Sequence, residues 1–569
     1  MGLSESVSFR EVSIVATHVA MRDGVKLATD VYLSPDEKPR PCLLIRTPYG
    51  RRFQTAEVYA HPAWYVSKGF AVVCQDTRGR GASEGEFLPF EREAEDGYDT
   101  IGWIAAQPWC NGAVGTYGFS YPGAVQLAAA TLNPKHLVAI APAMTAADIG
   151  SGWTYRNGVL NLSWILTWVA EFGRETAIKA GDLGAANAFS ELLAAPSRLL
   201  GALPVGSAFG SELSRYIPYL AEWLRSAPTS DYWRGRSSRD RLSNVAVPGL
   251  WIAGWYDVFL EATLAAYQQV TEVGASPQRL VVGPWWHTPW GRYVGEEDFG
   301  PAAGNLVDEL QVRFFSHCLG GEQSAPAGEA AVRLFVMGEN DWYSFERWPP
   351  QSSGTQTFHL HSDGHANSLN GNGRLEPSAP DSGAHADWLA SDPAFPVSPA
   401  GGRSCCYPEI SPMGPADQRG HEIRNDVLVY DSDPLPTDLL VIGNPILHLW
   451  VGADRPSVDL VVRLVDVRPD GRAVNVSDAN LRLDLEPGDP LIPVRLTMSP
   501  TAVRFQMGHR IRLDIMETCF PMFERNAHGS CAPIDATLTD LMPVTMTVAH
   551  NATFTSRLEL PLVADPPAE

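Results

Sequence analysis

Residues 113–130 constrain the fold of this chain more tightly than any other stretch. A strand-forming apolar run leads into Ser120, and an alanine-rich, helix-forming run begins directly after it. Small residues, which let a helix pack closely against the strand before it, flank the serine at Gly115, Gly118, Gly123 and Ala124. The stretch predicts a buried strand, a sharp turn and a helix, with the Ser120 hydroxyl exposed at the top of a parallel sheet.

Two serines compete for the role of a catalytic nucleophile. Ser83 lies in Gly81-Ala-Ser-Glu-Gly85 and matches the pattern G-x-S-x-G, whereas the last glycine of the Ser120 segment comes one position late. The nucleophile elbow of α/β-hydrolases, however, needs a strand that runs directly into the serine and a helix that leaves at once. Only Ser120 has both, because Ser83 follows a glycine-rich loop and precedes Phe87-Leu-Pro. We predict that Ser120 is the nucleophile and that Ser83 is a loop residue bonded to nearby backbone.

A serine of normal pKa needs a neighbouring base, and the base needs an acid that orients it. In this fold the acid and then the histidine follow the serine along the chain. Asp257 and His287 each come directly after a predicted sheet strand, where open parallel sheets build their sites. Other histidines come too early in the chain or lie in a helix-like segment: His61, His136 and His317. Asp257 and His287 therefore complete the predicted triad, although Asp257 could also cap the next helix and His287 could stack among neighbouring tryptophans.

An oxyanion hole needs hydrogen-bond donors that point at the developing charge. The backbone N–H of Tyr121, directly after the nucleophile, is one predicted donor, whereas Pro122 has no N–H to offer. The loop after an early strand lacks a glycine-rich oxyanion motif and holds Tyr49 instead, in Arg46-Thr-Pro-Tyr-Gly50. The Tyr49 hydroxyl is the second candidate donor. From the residues alone, a partly buried core tyrosine explains Tyr49 equally well.

The order of predicted elements divides the chain into three parts. Strands alternate with helices over residues 1–148, after an Asp23-Gly24 hairpin signal, and again over 241–350, which predicts one α/β sheet with right-handed crossovers. Residues 149–240 are helix-like and predict a cap over that sheet. Residues 351–569 change to short strands of period two with Gly, Pro and Asp turns, which predicts an all-β sandwich or jelly roll.

Composition limits the expected partners and compartment. The formal net charge of −22 disfavours nucleic acid and anionic membranes as partners, and the sequence holds no apolar run of about 18 residues that would predict a membrane span. The first ten residues lack the pattern of a secretory signal, so we expect a cytoplasmic protein without a membrane partner. The eight cysteines show no metal-ligand spacing, and no metal or cofactor is predicted. All are expected as free thiols, including the adjacent Cys405 and Cys406, for which a vicinal disulfide is the alternative.

Seven longer motifs are specific enough to compare with known families. They are Arg-Thr-Pro-Tyr at 46–49, Gln-Asp-Thr-Arg-Gly at 75–79, Ala-Ser-Glu-Gly-Glu-Phe at 82–87, Gly-Phe-Ser-Tyr-Pro-Gly at 118–123, Gly-Trp-Tyr-Asp at 254–257, Val-Val-Gly-Pro-Trp-Trp-His at 281–287 and Gly-Pro-Ala-Asp-Gln-Arg at 414–419. Together they resemble the bacterial cocaine esterase family, which is related to the X-Pro dipeptidyl-peptidases and the α-amino acid ester hydrolases. The resemblance implies an α/β-hydrolase domain, a helical cap and a C-terminal jelly roll. It also implies that Ser120, Asp257 and His287 form the triad, with Tyr49 and the Tyr121 N–H as oxyanion donors.

Four aromatic residues are candidates for the acyl pocket. Through the resemblance, Phe259 is expected to line this pocket, and Tyr407 stands in a loop that is expected to reach it. Trp164 and Trp168 on the cap helix could add to the pocket or could pack the helix against the sheet. The expected substrate is a small-molecule ester with an aromatic or bulky apolar acyl group, cleaved through an acyl-serine. An amidase, a β-lactam acylase or an acyltransferase with the same triad is the alternative, and a homodimer is compatible with the sequence.

Overall fold

The computed structural model describes residues 12–36, 38–52, 58–320, 330–380, 385–486 and 491–564. Within these ranges the chain forms a ten-stranded mixed sheet, a helical segment inserted into it, and a C-terminal network of thirteen strands. This arrangement confirms the predicted α/β fold with a helical insertion and an all-β C-terminal domain. Among the described residues, no α-helix combines the length and the hydropathy that a membrane span requires.

The first sheet is parallel in its centre and antiparallel at both edges. Its strands are β1 (Ser13–Ala20), β2 (Lys26–Leu33), β3 (Arg40–Thr47), β4 (Ala71–Asp76), β5 (Cys110–Phe119), β6 (Leu137–Ala143), β7 (Gly249–Gly254), β8 (Gln278–Gly283), β9 (Val332–Val336) and β10 (Asp341–Phe345). Their spatial order is β1-β2-β4-β3-β5-β6-β7-β8-β9-β10. All neighbours from β4 to β9 in this order are parallel. The carboxyl ends of these strands therefore share one edge of the sheet, where a site is expected.

The patterns in the sequence explain how this sheet forms. The predicted hairpin pairs β1 with β2 from Ser13 opposite Leu33 to Ala20 opposite Lys26. Gly24 adopts a φ of +87° in its turn, in the left-handed region that glycine tolerates best. The strands β4, β7 and β8 are buried along their whole length, and each contains a continuous apolar run instead of an alternating pattern.

Helices cover the sheet and form the inserted segment. The described α-helices are α1 (Pro62–Ser67), α2 (Glu93–Ala105), α3 (Tyr121–Ala130), α4 (Leu162–Lys179), α5 (Leu183–Ala194), α6 (Pro196–Leu200), α7 (Gly210–Ser214), α8 (Leu220–Arg225), α9 (Asp231–Arg236), α10 (Leu260–Val273), α11 (Val307–Leu319) and α12 (Arg419–Glu422). The run from α4 to α9 lies between β6 and β7, inside the predicted cap range. Most side chains in the first three turns of α4 are buried, in a cluster that also contains Tyr121 and Val125 of α3 and Phe259.

The second sheet network contains the strands that follow residue 350. They are β11 (Gly354–His361), β12 (Gly373–Glu376), β13 (Ala386–Ser391), β14 (Val427–Ser432), β15 (Leu439–Gly443), β16 (Ile446–Ala453), β17 (Ser457–Val467), β18 (Ala473–Asp484), β19 (Ile492–Thr497), β20 (Thr501–Phe505), β21 (Arg510–Met516), β22 (Val544–Ala549) and β23 (Arg557–Leu562). Side chains alternate between buried and partly exposed positions along most of β16 and β22, as the period of two predicts. Nearly all pairs are antiparallel, and β12 with β14 is parallel.

A buried charge cluster holds the C-terminal domain against the first sheet and the cap. The Arg156 guanidinium lies 2.6 Å from the Asp478 carboxylate and 2.9 Å from Glu261. Arg403 lies 2.5 Å from the same Asp478 carboxylate. Such pairs are costly to break, because removing one partner leaves an uncompensated buried charge. Since Arg403 stands just before residues 405–407, the cluster fixes the position of that loop against the first sheet.

Candidate active site

Ser120 occupies a strained turn between β5 and α3. Its backbone angles, a φ of 63° and a ψ of −130°, lie in a region that residues other than glycine rarely adopt, as a nucleophile elbow requires. A Cβ at Gly118 would lie 2.5 Å from the Pro122 Cβ, so the strand can end there only with glycine. A Cβ at Gly123 would lie 2.6 Å from the Thr145 Cβ. The Thr145 hydroxyl also donates to the Ser120 carbonyl at 2.8 Å, which fixes the turn.

Ser83, the better match to the sequence pattern G-x-S-x-G, has a structural role. Its side chain is buried, and its hydroxyl donates to the Asp76 carbonyl at 2.7 Å. The same oxygen accepts the Ala28 N–H at 2.8 Å. These bonds tie the glycine-rich loop to β2 and β4. The prediction that Ser83 is a backbone-bonded loop residue is confirmed.

Asp257 and His287 meet just beyond the carboxyl ends of β7 and β8. The Asp257 Oδ1 atom lies 2.7 Å from His287 Nδ1, and both side chains are buried. The other carboxylate oxygen, Oδ2, accepts the Phe259 N–H at 3.1 Å. The helix α10 begins only at Leu260, and no side-chain hydrogen bond caps it. Burial raises the pKa of the Asp257 carboxyl above its ordinary value, while the neighbouring His287 acts in the opposite direction.

The Asp257–His287 pair lies beside the elbow. The His287 ring is 5.4 Å from the ring of Phe119, the residue directly before Ser120, measured between centroids. Because Nδ1 is bonded to Asp257, the ring presents Nε2 as its free proton acceptor. Within the described residues the Ser120 hydroxyl makes no hydrogen bond to His287. Such catalytic bonds are often long in a ligand-free site and tighten when substrate binds.

A buried network fixes the backbone at Tyr121, the predicted oxyanion donor. Tyr121 is the first residue of α3, and the N–H groups of a first helical turn have no partner within the helix. Its hydroxyl donates to Glu93 Oε1 at 2.8 Å and accepts the Phe90 N–H at 3.0 Å. Glu93 in turn pairs with Arg46 at 2.9 Å. Burial raises the pKa of Glu93, and Arg46 opposes that effect.

Tyr49, the second predicted oxyanion donor, follows β3 and contacts the cap helix α4. Its hydroxyl oxygen accepts a hydrogen bond from Trp168 Nε1 at 3.1 Å. Because an indole nitrogen only donates, this bond uses a lone pair of the Tyr49 oxygen and not the hydroxyl hydrogen. The Trp168 ring also stacks over the Tyr121 ring, with centroids 6.3 Å apart. One cap tryptophan therefore contacts both of the residues predicted for the oxyanion hole.

Aromatic side chains form a cage beside His287. The Phe259 ring lies 5.3 Å from the His287 ring, and Trp153 stacks on Phe259 at 4.4 Å. Trp164 meets the Phe259 ring edge-on at 5.5 Å. Trp168 lies 6.2 Å from Trp164, and the four aromatic side chains of the cage are 5% exposed or less. The structure thus brings together three of the four residues that we predicted for the pocket.

Tyr407, the fourth predicted pocket residue, links the C-terminal domain to the cap. Burial, together with the nearby Glu171 carboxylate on α4, raises the pKa of Tyr407. The same buried cluster that holds Phe259 and Tyr121 also holds Cys405. The 405–407 loop therefore borders the cage from the side of the C-terminal domain.

Cys405 and Cys406 are joined in a disulfide, so the expectation of free thiols is wrong for this pair. The turn explains why neighbouring side chains meet. Cys406 adopts a φ of 74°, and the Tyr407 N–H donates to the Cys405 carbonyl at 2.9 Å. The sulfur atoms of the pair and a ring nitrogen of His287 lie within 4.8 Å of one another. The other described cysteines are free, as predicted: Cys42, Cys74, Cys110, Cys318, Cys519 and Cys531.

Two aromatic residues of the site escaped the sequence analysis. Trp153 lies in a single π-helical turn, Gly150–Thr154, and no repeating pattern indicates such a turn. Phe172 packs against Trp168 at 4.3 Å and against Tyr49 at 5.6 Å. The sequence could have predicted the position of Phe172, because Phe172 follows Trp168 by four residues and so lies on the same face of α4.

Comparison with known proteins identifies the family. Residues 23–289 match the X-Pro dipeptidyl-peptidase (S15 family) model, and residues 325–559 match the X-Pro dipeptidyl-peptidase C-terminal non-catalytic domain. Cocaine esterase from Rhodococcus sp. (strain MB1 Bresler) is 35% identical over 566 residues, which cover 96% of this chain and 97% of that protein.

Solved structures agree in fold over nearly the whole length. An α-amino acid ester hydrolase superposes with a TM-score of 0.81 at 22% identity, covering 97% of both chains. An aminopeptidase from the marine sediment archaeon Thaumarchaeota archaeon superposes with a TM-score of 0.79 at 22% identity, again over 97% of both chains. These two likenesses show the fold, and the sequence match over almost all of the Rhodococcus enzyme shows the family. The chain belongs to the cocaine esterase family of serine ester hydrolases.

Proposed function

We propose that this chain is a carboxylesterase that cleaves small-molecule esters through an acyl intermediate on Ser120. The observation that carries the proposal is the buried 2.7 Å hydrogen bond between Asp257 and His287, beside the elbow that presents Ser120. A carboxylate that holds one histidine nitrogen in place stabilises the imidazolium that forms when the other nitrogen takes a proton. In this proposal Ser120, His287 and Asp257 are nucleophile, base and orienting acid.

The first half of the proposed reaction forms the acyl-serine. His287 Nε2 takes the hydroxyl proton while Ser120 Oγ attacks the ester carbonyl carbon. The carbonyl oxygen becomes an oxyanion, which accepts hydrogen bonds from the Tyr49 hydroxyl and the Tyr121 N–H. The ester C–O bond then breaks, and His287 passes its proton to the departing alcohol. In the second half, water attacks the acyl-serine with the help of the same groups, which releases the acid and restores Ser120.

The aromatic cage supports an aromatic or bulky apolar acyl group. Phe259 lies 5.3 Å from the catalytic His287 ring and is backed by Trp153 and Trp164. Aromatic rings attract one another in stacked and edge-on arrangements with centroids about 4.5–7 Å apart. An aromatic acyl group held beside His287 would extend the same set of contacts.

The pairing of Glu261 and Glu93 with arginines supports an uncharged acyl group. Glu261 forms ion pairs with Arg156 and Arg403. Burial alone would raise the pKa of Glu261, and the two arginines reverse this and hold it below its usual value. Glu93 is likewise paired, with Arg46. A substrate ammonium would have to compete with these guanidinium groups for a carboxylate, so we propose a neutral acyl portion.

A scan of acyl and leaving groups tests the proposed function. We expect benzoyl-type esters to be turned over faster than acetyl esters and matched amides. After reaction with a slow substrate, mass spectrometry of the enzyme should find the acyl group on the peptide that carries Ser120. Added alcohol and amine acceptors complete the panel. Amide cleavage at the rate of ester cleavage, or transfer to the added amine as the main reaction, would instead favour an amidase, an acylase or an acyltransferase.

Tyr49→Phe is expected to lower kcat for an aryl ester by about 10²-fold or more, with a smaller change in KM, because an oxyanion donor acts mainly in the transition state. The measurement is steady-state hydrolysis across a range of substrate concentrations. Tyr155→Phe is the matched control: its hydroxyl donates to the Trp223 carbonyl at 3.1 Å, inside the cap, and its loss is expected to leave kcat near the wild-type value. Equal losses of kcat in the two variants would contradict the assignment of Tyr49 to the oxyanion hole.

Phe259→Leu is expected to lower kcat/KM for benzoyl esters by about 2–12-fold, because an aromatic pair contributes about 0.5–1.5 kcal/mol beyond area burial. The same enzyme should lose much less on acetyl esters, so the ratio of the two substrates is the measurement. Phe315→Leu is the control, since Phe315 is also fully buried but packs near Gly115, in a core cluster that lacks the cage residues. A benzoyl-to-acetyl ratio that falls equally in both variants would contradict the assignment of the cage to the acyl group.

A further inference from the structure

The cysteine pair takes no part in the proposed reaction, yet it lies beside the proposed base. The sulfur atoms of Cys405 and Cys406 and a ring nitrogen of His287 are within 4.8 Å of one another. Cys405 is buried at 3% exposure, whereas Cys406 is exposed to solvent. The pair can therefore meet a solvent-borne reagent at Cys406 while it stands next to the histidine.

The hydrogen bond that prepares His287 as a base also prepares it as a metal ligand. Asp257 holds Nδ1 at 2.7 Å, so the lone pair of Nε2 is available. Histidines that bind metals commonly donate their other ring N–H to a carboxylate, which fixes the ring and makes it more basic. Two thiolates with one imidazole form a donor set that suits zinc and other thiophilic divalent ions.

We propose that the reduced pair Cys405–Cys406, together with His287, is an inhibitory binding site for a thiophilic divalent cation such as Zn²⁺. The disulfide form has no thiolates to offer and does not form this site. A phosphine supplies two electrons and takes an oxygen atom from water to become a phosphine oxide, and the two protons of that water convert the sulfurs of the broken S–S bond into two thiols. A dithiol supplies the two electrons and its own two protons, and becomes a disulfide. The cation then displaces both thiol protons and takes the Nε2 lone pair. The inference rests on the proposed function, because inhibition requires His287 to be the base.

The dimensions of the cluster fit such an ion. Zinc bonds of about 2.3 Å to sulfur and about 2.0 Å to nitrogen place tetrahedral ligand atoms about 3.5–3.8 Å apart. Both sulfur atoms already lie within 4.8 Å of a ring nitrogen of His287, so each sulfur–nitrogen distance needs to close by at most about 1 Å. The two sulfur atoms are bonded to each other in the disulfide, and after reduction they must move apart to about 3.8 Å. Water completes the four ligands, as in other zinc sites with three protein ligands. A bound ion would occupy the lone pair that must accept the Ser120 proton.

Zinc titration of two forms of the same protein tests the site. One sample keeps the disulfide, and the other is reduced with a phosphine that is removed under nitrogen. We expect Zn²⁺ to lower the rate of aryl-ester hydrolysis by the reduced enzyme at least about tenfold. At the same Zn²⁺ concentration, the oxidised enzyme should stay within about twofold of its metal-free rate. EDTA should restore the activity of the reduced enzyme. Cd²⁺, read by its thiolate charge-transfer absorbance, should bind the reduced form and not the oxidised one at the same site.

Two variants separate this site from other metal-binding groups. Cys406→Ser alters only the exposed member of the pair, and Cys405→Ser with Cys406→Ser removes both thiols. Each variant is compared with its own metal-free rate, and both are expected to lose the zinc inhibition and most of the Cd²⁺ absorbance. Equal inhibition of oxidised, reduced and doubly substituted enzyme would overturn the site, as would Cd²⁺ absorbance without any inhibition. A protein without esterase activity in every state would refute the proposed function instead, while the Cd²⁺ absorbance would still test the metal site.

Discussion

Ser120→Ala is expected to lower kcat for an aryl ester by about 10⁴-fold or more, because loss of the nucleophile leaves only binding and the oxyanion donors to act. The substitution should leave the fold intact: the Ser120 side chain makes no capping bond to α3. Steady-state hydrolysis measures the rate. Labelling with a fluorophosphonate, followed by peptide mass spectrometry, tests the role of Ser120 independently. The label is expected on Ser120 in the wild type, and the variant is expected to carry no label.

Ser83→Ala is the matched control, because Ser83 satisfies the G-x-S-x-G pattern better than Ser120 does. Alanine there leaves the Ala28 N–H and the Asp76 carbonyl without their buried partner. We expect a loss of about 1–3 kcal/mol in the free energy of unfolding and an unchanged kcat and label. A label on Ser83, or a catalytic loss in Ser83→Ala that matches Ser120→Ala, would show that the elbow was assigned to the wrong serine.

The elbow could be predicted because its determinants are local. A strand, a serine and a helix follow one another without interruption in residues 113–130, and the structure places Ser120 between β5 and α3. Asp257 and His287 could be predicted for a related reason. Each follows a strand of the parallel sheet, so the topology alone brings their side chains to one edge. Chain order then excluded His61 and His136, and a helix-like segment accounted for His317.

The missed features depend on contacts between distant segments. Glu93 fixes Tyr121 through a hydrogen bond of 2.8 Å, and nothing in the sequence around Glu93 indicates that partner. The Cys405–Cys406 pair reaches His287 because the C-terminal domain folds back on the sheet. Residue spacing does not encode this placement, and only the family resemblance led us to expect the loop of Tyr407 near the pocket. The disulfide depends on the positive φ of Cys406, which no residue-type preference predicts for cysteine.

Asp257→Asn is expected to lower kcat by about 10⁴-fold, the second large effect at this site. The structure gives the reason. The carboxylate Oδ2 accepts the Phe259 N–H, so an asparagine keeps that bond with its carbonyl oxygen and turns its NH₂ group toward His287 Nδ1. Nδ1 must then accept a hydrogen bond, which places the ring proton on Nε2. A histidine in that tautomer cannot take the Ser120 proton.

The stability of Asp257→Asn is not expected to fall, although its kcat is. Because burial raises the pKa of Asp257, the folded chain binds this proton more tightly than the unfolded chain does, and stability falls as the pH rises from the ordinary carboxyl pKa through the raised one. At neutral pH the ionised carboxylate therefore costs stability, and the neutral amide removes that cost. Thermal unfolding at neutral pH should show Asp257→Asn to be at least as stable as the wild type. Glu261→Gln, in the first turn of α10, removes the negative charge that pairs with Arg156; it is expected to lower stability and to leave kcat within about tenfold of wild type. If Asp257→Asn instead keeps wild-type kcat, the orientation of His287 does not depend on Asp257, and another acid must be sought.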